Sequence, residues 1–181
     1  MSLGYGEGIQ MLSTTRIQKT AIALVLCLYG SVAGAYDLMD SVMTSAWKNG
    51  DMETIDQARS LGWDFGTFLE RTIEKQRDAC HDAAVSTADM RNCENAAQQI
   101  WDEVLNAEYQ TLMDRIEDTE GLMELQKTWV KYRDLKCSWT GHTLGTAGSI
   151  AAASCFSQMT QERALELIAD TTCLRVEGCL W

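Results

Sequence analysis

No proline interrupts the 181 residues of this chain. Proline is the strongest helix breaker, because it lacks an amide hydrogen and its ring strikes the preceding turn. Alanine, Leu, Met, Gln and Glu are plentiful, and all of them propagate helices well. The chain is therefore predicted to be all-α, an antiparallel bundle of three main helices preceded by short N-terminal ones.

The periodicity supports this reading and places the helices. Ser86 or Thr87 is positioned to cap a long helix reaching about Glu117, with Ala97, Trp101, Leu105, Tyr109, Leu112 and Ile116 on one face. Asp118 and Thr119 break that run and cap a second helix, whose face Leu122, Leu125, Trp129, Tyr132 and, further along, Trp139 approaches a heptad seam. The stretch TGHTLGTAGS, Thr140 to Ser149, has no periodicity and is expected to be a loop. A third helix follows over roughly Ile150 to Asp170, facing inward with Phe156, Ala164, Leu167 and Ile168. Upstream, Asp51 is placed to cap a helix stopping at Gly62, and Thr67 with Glu70 forms a capping box for the next. Trp47, Leu61, Trp63, Phe65, Phe68 and Leu69 supply the apolar contacts of that region. The fragment has no second copy, so a solenoid is not supported.

The first 35 residues read as an export signal. Arg16 and Lys19 precede an apolar run from Thr20 to Val32, and Ala33-Gly34-Ala35 has the small-x-small pattern that signal peptidase reads. Met11 is an alternative start. The expected divisions are residues 1–35 as signal, 36–79 as a short helical extension, 80–170 as the main bundle and 171–181 as a tail. Cleavage after Ala35 would remove Cys27 and leave Cys80, Cys93, Cys137, Cys155, Cys173 and Cys179. An even count behind an export signal reads as a disulfide framework in an oxidising compartment, periplasmic or extracellular. Three helices joined by short turns run up-down-up, which gathers Cys80, Cys93, Cys137 and Cys155 at one pole. These four thiols can pair in three ways; the short loops favour Cys80–Cys93 and Cys137–Cys155, and Cys173 with Cys179 would close the tail.

The formal charge is −11, and loss of Glu7, Arg16 and Lys19 with the signal makes it −12. Such a charge repels nucleic acid and anionic membrane surfaces and steers a basic protein partner inward. Stable membrane insertion is not expected once the signal is removed. No enzyme is expected, nor any metal or cofactor. His81 and His142 are the only histidines, no CxxC or HxxxH spacing occurs, and the even cysteine count leaves no free nucleophile. GTAGS lacks the lysine of a phosphate-binding loop.

The stretch LQKTWVKYRDLKC, Leu125 to Cys137, concentrates a Gln, aromatics, an Arg-Asp pair and a cysteine. Leu125, Trp129 and Tyr132 share a helix face and read as core. Gln126 and Arg133, seven apart, read as a buried polar clasp that fixes helix register.

Cys80, Cys93, LNAEYQTL, LQKTWVKYRDLKC, a Gly-Ser loop and CFSQMTQERALEL occur in that order. The set resembles the LprI-type lysozyme inhibitor family over Cys80 to Ile168. The pattern falls on Leu105, Asn106, Tyr109, Gln126, Trp129, Arg133, Asp134, Gly148, Ser149, Thr160 and Arg163, besides the cysteines. The resemblance implies an exported, non-enzymatic protein that binds and inhibits lysozyme and so protects peptidoglycan. The alternative is an envelope immunity or interaction protein against another cell-wall-degrading toxin. The contact surface is expected in the stapled loop, at His142, Thr143, Leu144, Thr146 and Ser149.

Overall fold

A computed structural model describes residues 32–60 and 62–175. The predicted signal region up to residue 31 (Cys27 included), Leu61 and Cys179 lie outside the described residues. Every described element is helical. They are α1 (Val32–Lys48), α2 (Met52–Ser60), α3 (Phe65–Ala83), α4 (Thr87–Met113), α5 (Thr119–Thr143) and α6 (Gly148–Arg175), with a 3-10 turn at Gly145–Ala147.

The chain divides into two compact units, one ending at Thr54 and one beginning at Ile55. In the first, α1 is followed by a turn through Gly50, whose φ of 66° suits a residue without a Cβ. Asp51 then caps α2, accepting from the Thr54 amide at 3.1 Å and the Thr54 hydroxyl at 2.7 Å.

In the second unit the helix starts follow local capping chemistry. Ser86 accepts from the Asp89 amide to open α4, and Asp118 accepts from the Gly121 amide to open α5. The start of α3 differs from expectation. Asp64, and not Thr67, is the cap: it accepts from the Thr67 amide at 3.0 Å and the Thr67 hydroxyl at 2.7 Å. Glu70 is thereby released from the capping box and accepts from Gln161 of α6 at 3.0 Å.

The most extensive packing lies between α4 and α6, with α5 against α6 and α3 against α4. Glu108 and Thr171, near the C-terminal ends of α4 and α6, meet through a hydrogen bond, so these two helices run parallel. The short connection from Met113 to Thr119 turns α5 back, and it packs against α6. The core is built from Cys93, Ala97, Trp101, Val104, Leu105 and Leu112 of α4 together with Ala153, Met159, Ala164, Leu167 and Ile168 of α6. Phe65, Phe68, Leu69 and Ile73 extend it along α3. Of the inward faces predicted for α4 and α6, Tyr109, Ile116 and Phe156 are only half-buried.

Three further expectations are corrected. Thr140 to Ser149 is not a loop: α5 continues to Thr143, and α6 begins at Gly148 after a single 3-10 turn. The glycines make a close helix crossing. A Cβ on Gly148 would collide with the Gly141 carbonyl oxygen, and one on Gly141 would sit 3.1 Å from the Ala152 Cβ. Gly145 supplies the reversal at φ 57°. The second correction concerns α5. Leu125, Tyr132 and Trp139, predicted in the seam, are exposed. The helix turns inward with Gln126, Trp129, Arg133 and Cys137 instead; Cys137 is fully buried and the others partly so. Residues 171–175, expected in a separate tail, continue α6 to Arg175.

Candidate functional site

Both staples close at the helix ends. Cys80 of α3 is bonded to Cys93 of α4 with Cα atoms 5.7 Å apart, and Cys137 of α5 to Cys155 of α6 with Cα atoms 5.4 Å apart. This is the short-loop pairing favoured from the sequence. Cys173 is also disulfide-bonded; its expected partner, Cys179, lies outside the described residues. Beside the first staple, His81 Nε2 and Glu94 Oε1 lie 2.7 Å apart and bridge α3 and α4.

The α5–α6 hairpin carries two polar clasps. Arg163, nearly fully buried, donates from Nε to Gln126 Oε1 at 3.1 Å and pairs with Glu166 at 2.7 Å. Arg133 donates from Nη1 to the Thr160 hydroxyl at 3.3 Å and to Asp102 of α4 at 3.4 Å, and from Nε to Asp134 at 3.1 Å. Its guanidinium carbon stands 5.0 Å from the Trp129 ring centre and 5.7 Å from that of Phe156, close enough for a cation–π attraction. The motif residues Gln126, Trp129, Arg133, Asp134, Thr160 and Arg163 are thus gathered into one interhelical seam. Leu105 is buried in the α4 core, Tyr109 is half-buried, and Asn106 is exposed on the outer surface of α4.

Beyond the clasps lies the hairpin tip. His142, Thr143, Leu144 and Ser149 are all exposed there; the Thr146 side chain is outside the described residues. Cys137–Cys155 and the Gly141–Gly148 crossing hold this tip from two sides.

A second buried charge centre is not marked by any local motif. Arg59 of α2 donates from Nη1 and Nη2 to the two carboxylate oxygens of Glu108, at 2.7 and 3.1 Å, and from Nη2 to the Thr171 hydroxyl at 3.0 Å. The Thr171 hydroxyl in turn donates to Glu108. The Arg59 guanidinium also lies 4.8 Å from the Phe65 ring centre. All three polar residues are nearly fully buried. The two charges oppose each other, as burial of an ion pair requires, while Arg59 Nε is left without a hydrogen-bond partner. Arg59 further borders an open cavity of about 680 Å³ with Trp63, Phe65, Leu165 and Ile168. The sequence signal that could have found Glu108 is its phase: with Ala97, Trp101, Val104, Leu105 and Leu112 it sits on the inner face of α4.

Hydrogen bonds from the Thr67 amide, and then its hydroxyl, hold Asp64 below the usual carboxylate range. Desolvation, and then the nearby Glu166, raise Asp170. Among the described residues no cluster of His, Cys, Asp and Glu is placed to hold a metal ion.

Fold and site together define a class: among the described residues, a small all-helical bundle with disulfides near its helix ends, polar clasps between its helices and an exposed hairpin tip. Residues 80–167, just under half of the chain, match the family model described as Lysozyme inhibitor LprI. The match takes in both staples and both α5–α6 clasps, and it leaves α1, α2 and most of α3 outside. No curated protein and no solved structure matches the chain.

Proposed function

We propose that this protein is an exported, non-enzymatic binding protein that engages a lysozyme through the tip of the α5–α6 hairpin and inhibits it. The observation that carries this reading is the LprI match over residues 80–167. Gln126, Arg133, Thr160 and Arg163 within it clasp the hairpin, and its tip presents His142, Thr143, Leu144 and Ser149. A tip held by a disulfide and a glycine crossing loses little conformational entropy on binding. Two described intrachain disulfides accord with a periplasmic or secreted location.

The charge supports the same partner. Glu70, Glu74, Asp78 and Asp82 recur every four residues on α3, as do Glu162, Glu166 and Asp170 on α6. These rows add to a net charge of −11 and accelerate encounter with a basic lysozyme at low salt. The test is lysozyme activity on cell walls with and without the disulfide-bonded protein. Inhibition should appear at micromolar excess and fall by about tenfold or more in Leu144→Asp, as expected for a central contact. Full lysozyme activity at low and at moderate salt would remove the reading.

A further inference from the structure

The outer face of α5 is apolar and, among the described residues, exposed. Leu125, Tyr132 and Trp139 recur at intervals of seven, with Leu135 beside them, and their relative exposures are 54%, 57%, 68% and 74% respectively. Seven residues make nearly two turns, so the side chains form one stripe along the helix. The stripe is turned away from the inward face of Gln126, Arg133 and Cys137 by roughly a third of a turn.

Its charged surroundings reverse the character of the chain. Three of the six lysines in the sequence, Lys127, Lys131 and Lys136, fall within ten residues of this helix, and all three are exposed. Helical geometry puts Lys131 along one border of the stripe and Lys136 along the other. Lys136 Nζ lies 5.9 Å from the Tyr132 ring centre. The acids on this helix are Glu120 and Glu124, towards its N-terminal end, and Asp134, which is paired with Arg133. At physiological ionic strength charges more than about 8 Å away are largely screened. A surface touching α5 therefore meets the local lysines and not the acidic rows of α3 and α6.

We infer that the outer face of α5 docks the protein on an anionic lipid surface. Leu125, Tyr132, Leu135 and Trp139 enter the headgroup region, and Lys131 and Lys136, along its two borders, meet lipid phosphates. Aromatic and leucine side chains flanked by lysine are the pattern of a helix lying in the interface plane, and Trp and Tyr favour that depth. Lysine stems reach along apolar surface while their ammonium groups stay at the phosphates. No helix among the described residues is long and apolar enough to cross a membrane, so the contact is adsorption on one leaflet. Charge also decides among occupants. A basic protein is disfavoured by the same lysines, and two copies meeting through this face would bring their lysines together. The inference is independent of the proposed lysozyme contact, which lies at the hairpin tip.

The test is co-sedimentation of the disulfide-bonded protein with two kinds of vesicle, pure phosphatidylcholine and phosphatidylcholine containing about one third phosphatidylglycerol. Binding to the anionic vesicles should be about tenfold tighter or more, and weaken about fivefold for each of Lys131 and Lys136 changed to Gln. L135E/W139E should abolish it while leaving the melting temperature and lysozyme inhibition unchanged, because both side chains are exposed and off the tip. Equal binding to the two vesicles, binding to neither, or indifference to L135E/W139E would overturn the inference. A concentration-dependent dimer in sedimentation velocity that L135E/W139E dissolves would assign the face to a second copy. Lysozyme inhibition lost in the same folded variant, without vesicles, would assign it to a protein partner. Either result overturns lipid docking.

Discussion

The Arg59–Glu108 pair offers the sharpest test of how the region before Cys80 relates to the family segment. Arg59 lies outside the LprI match and Glu108 inside it, yet their side chains form a two-pronged ion pair at 2.7 and 3.1 Å, nearly free of solvent. Arg59→Ala removes the cation and leaves Glu108 buried with only the Thr171 hydroxyl to oppose its charge. Breaking a buried pair from one side costs about 3–5 kcal/mol. In a unit of this size each kcal/mol moves the melting temperature by roughly 3–5 °C, so the variant should melt some 10–20 °C lower, within the same approximation. The double change Arg59→Met with Glu108→Leu removes both charges and keeps most of the volume. It should recover most of that loss, since an apolar replacement of a buried pair is often neutral or stabilising. Urea unfolding of the parent, the two single variants and the double variant gives the coupling energy directly. A loss below about 1 kcal/mol for Arg59→Ala, the value of an exposed pair, would refute the reasoning. So would a double variant no more stable than the worse single one. A large coupling would mean that residues from Ile55 onward fold as part of the bundle, and that a truncation starting at Cys80 strands a buried carboxylate.

Three further outcomes follow from the geometry. Replacing Cys137 and Cys155 together by Ser opens a staple spanning 18 residues and should cost about 3 kcal/mol of unfolding free energy, read in denaturant with the parent under reducing and non-reducing conditions. Arg133→Ala deletes the bonds to Asp102 and Thr160 and the stacking on Trp129; about 2 kcal/mol of stability should be lost, with little change in lysozyme inhibition, and an unchanged melting temperature with lost inhibition would reverse that assignment. Asp170→Asn should stabilise the protein near neutral pH. Burial, reinforced by Glu166, raises the folded pKa of Asp170, so the folded state binds this proton more tightly than the unfolded one. Ionisation therefore costs stability above the folded pKa, and the advantage of Asn should vanish as pH falls below the ordinary carboxylate range, about 3.9.

The parts of the fold legible in the sequence are those fixed by neighbours along the chain. Ser86 and Asp118 bond amides three residues on, and Ala97, Trp101, Leu105 and Leu112 fall into the core at the predicted spacing. The disulfide pairing was legible as well, because loop length and topology pointed the same way. Arg59 and Glu108 were not, since 49 residues separate them and a charged residue in a helix is ordinarily read as solvent-facing. The hairpin was misread for a different reason. Gly141, Gly145 and Gly148 look like loop residues when taken one at a time. Gly141 lies on α5 and Gly148 on α6, and only their contact in space shows the backbones passing close.

Helix α5 shows where periodicity stops being informative. Its apolar stripe, Leu125, Tyr132 and Trp139, and its polar row, Gln126, Arg133 and Cys137, have the same seven-residue recurrence or nearly so, and only one of the two can face α6. Two constraints select the polar row. Cys137 is bonded to Cys155, which fixes the rotation of α5 about its axis. Arg163 is buried on α6, and turning Gln126 away would strand more of its guanidinium than the single Nη2 already without a partner, at about 1–3 kcal/mol or more for a charged group. The apolar stripe is exposed as the consequence. Full burial of each such side chain is worth about 1.5–3 kcal/mol, and folding leaves much of that free energy unrealised on α5. A surface that covers the stripe and matches its lysines recovers it, which gives the outer face of α5 a thermodynamic reason to find a surface once the bundle has formed.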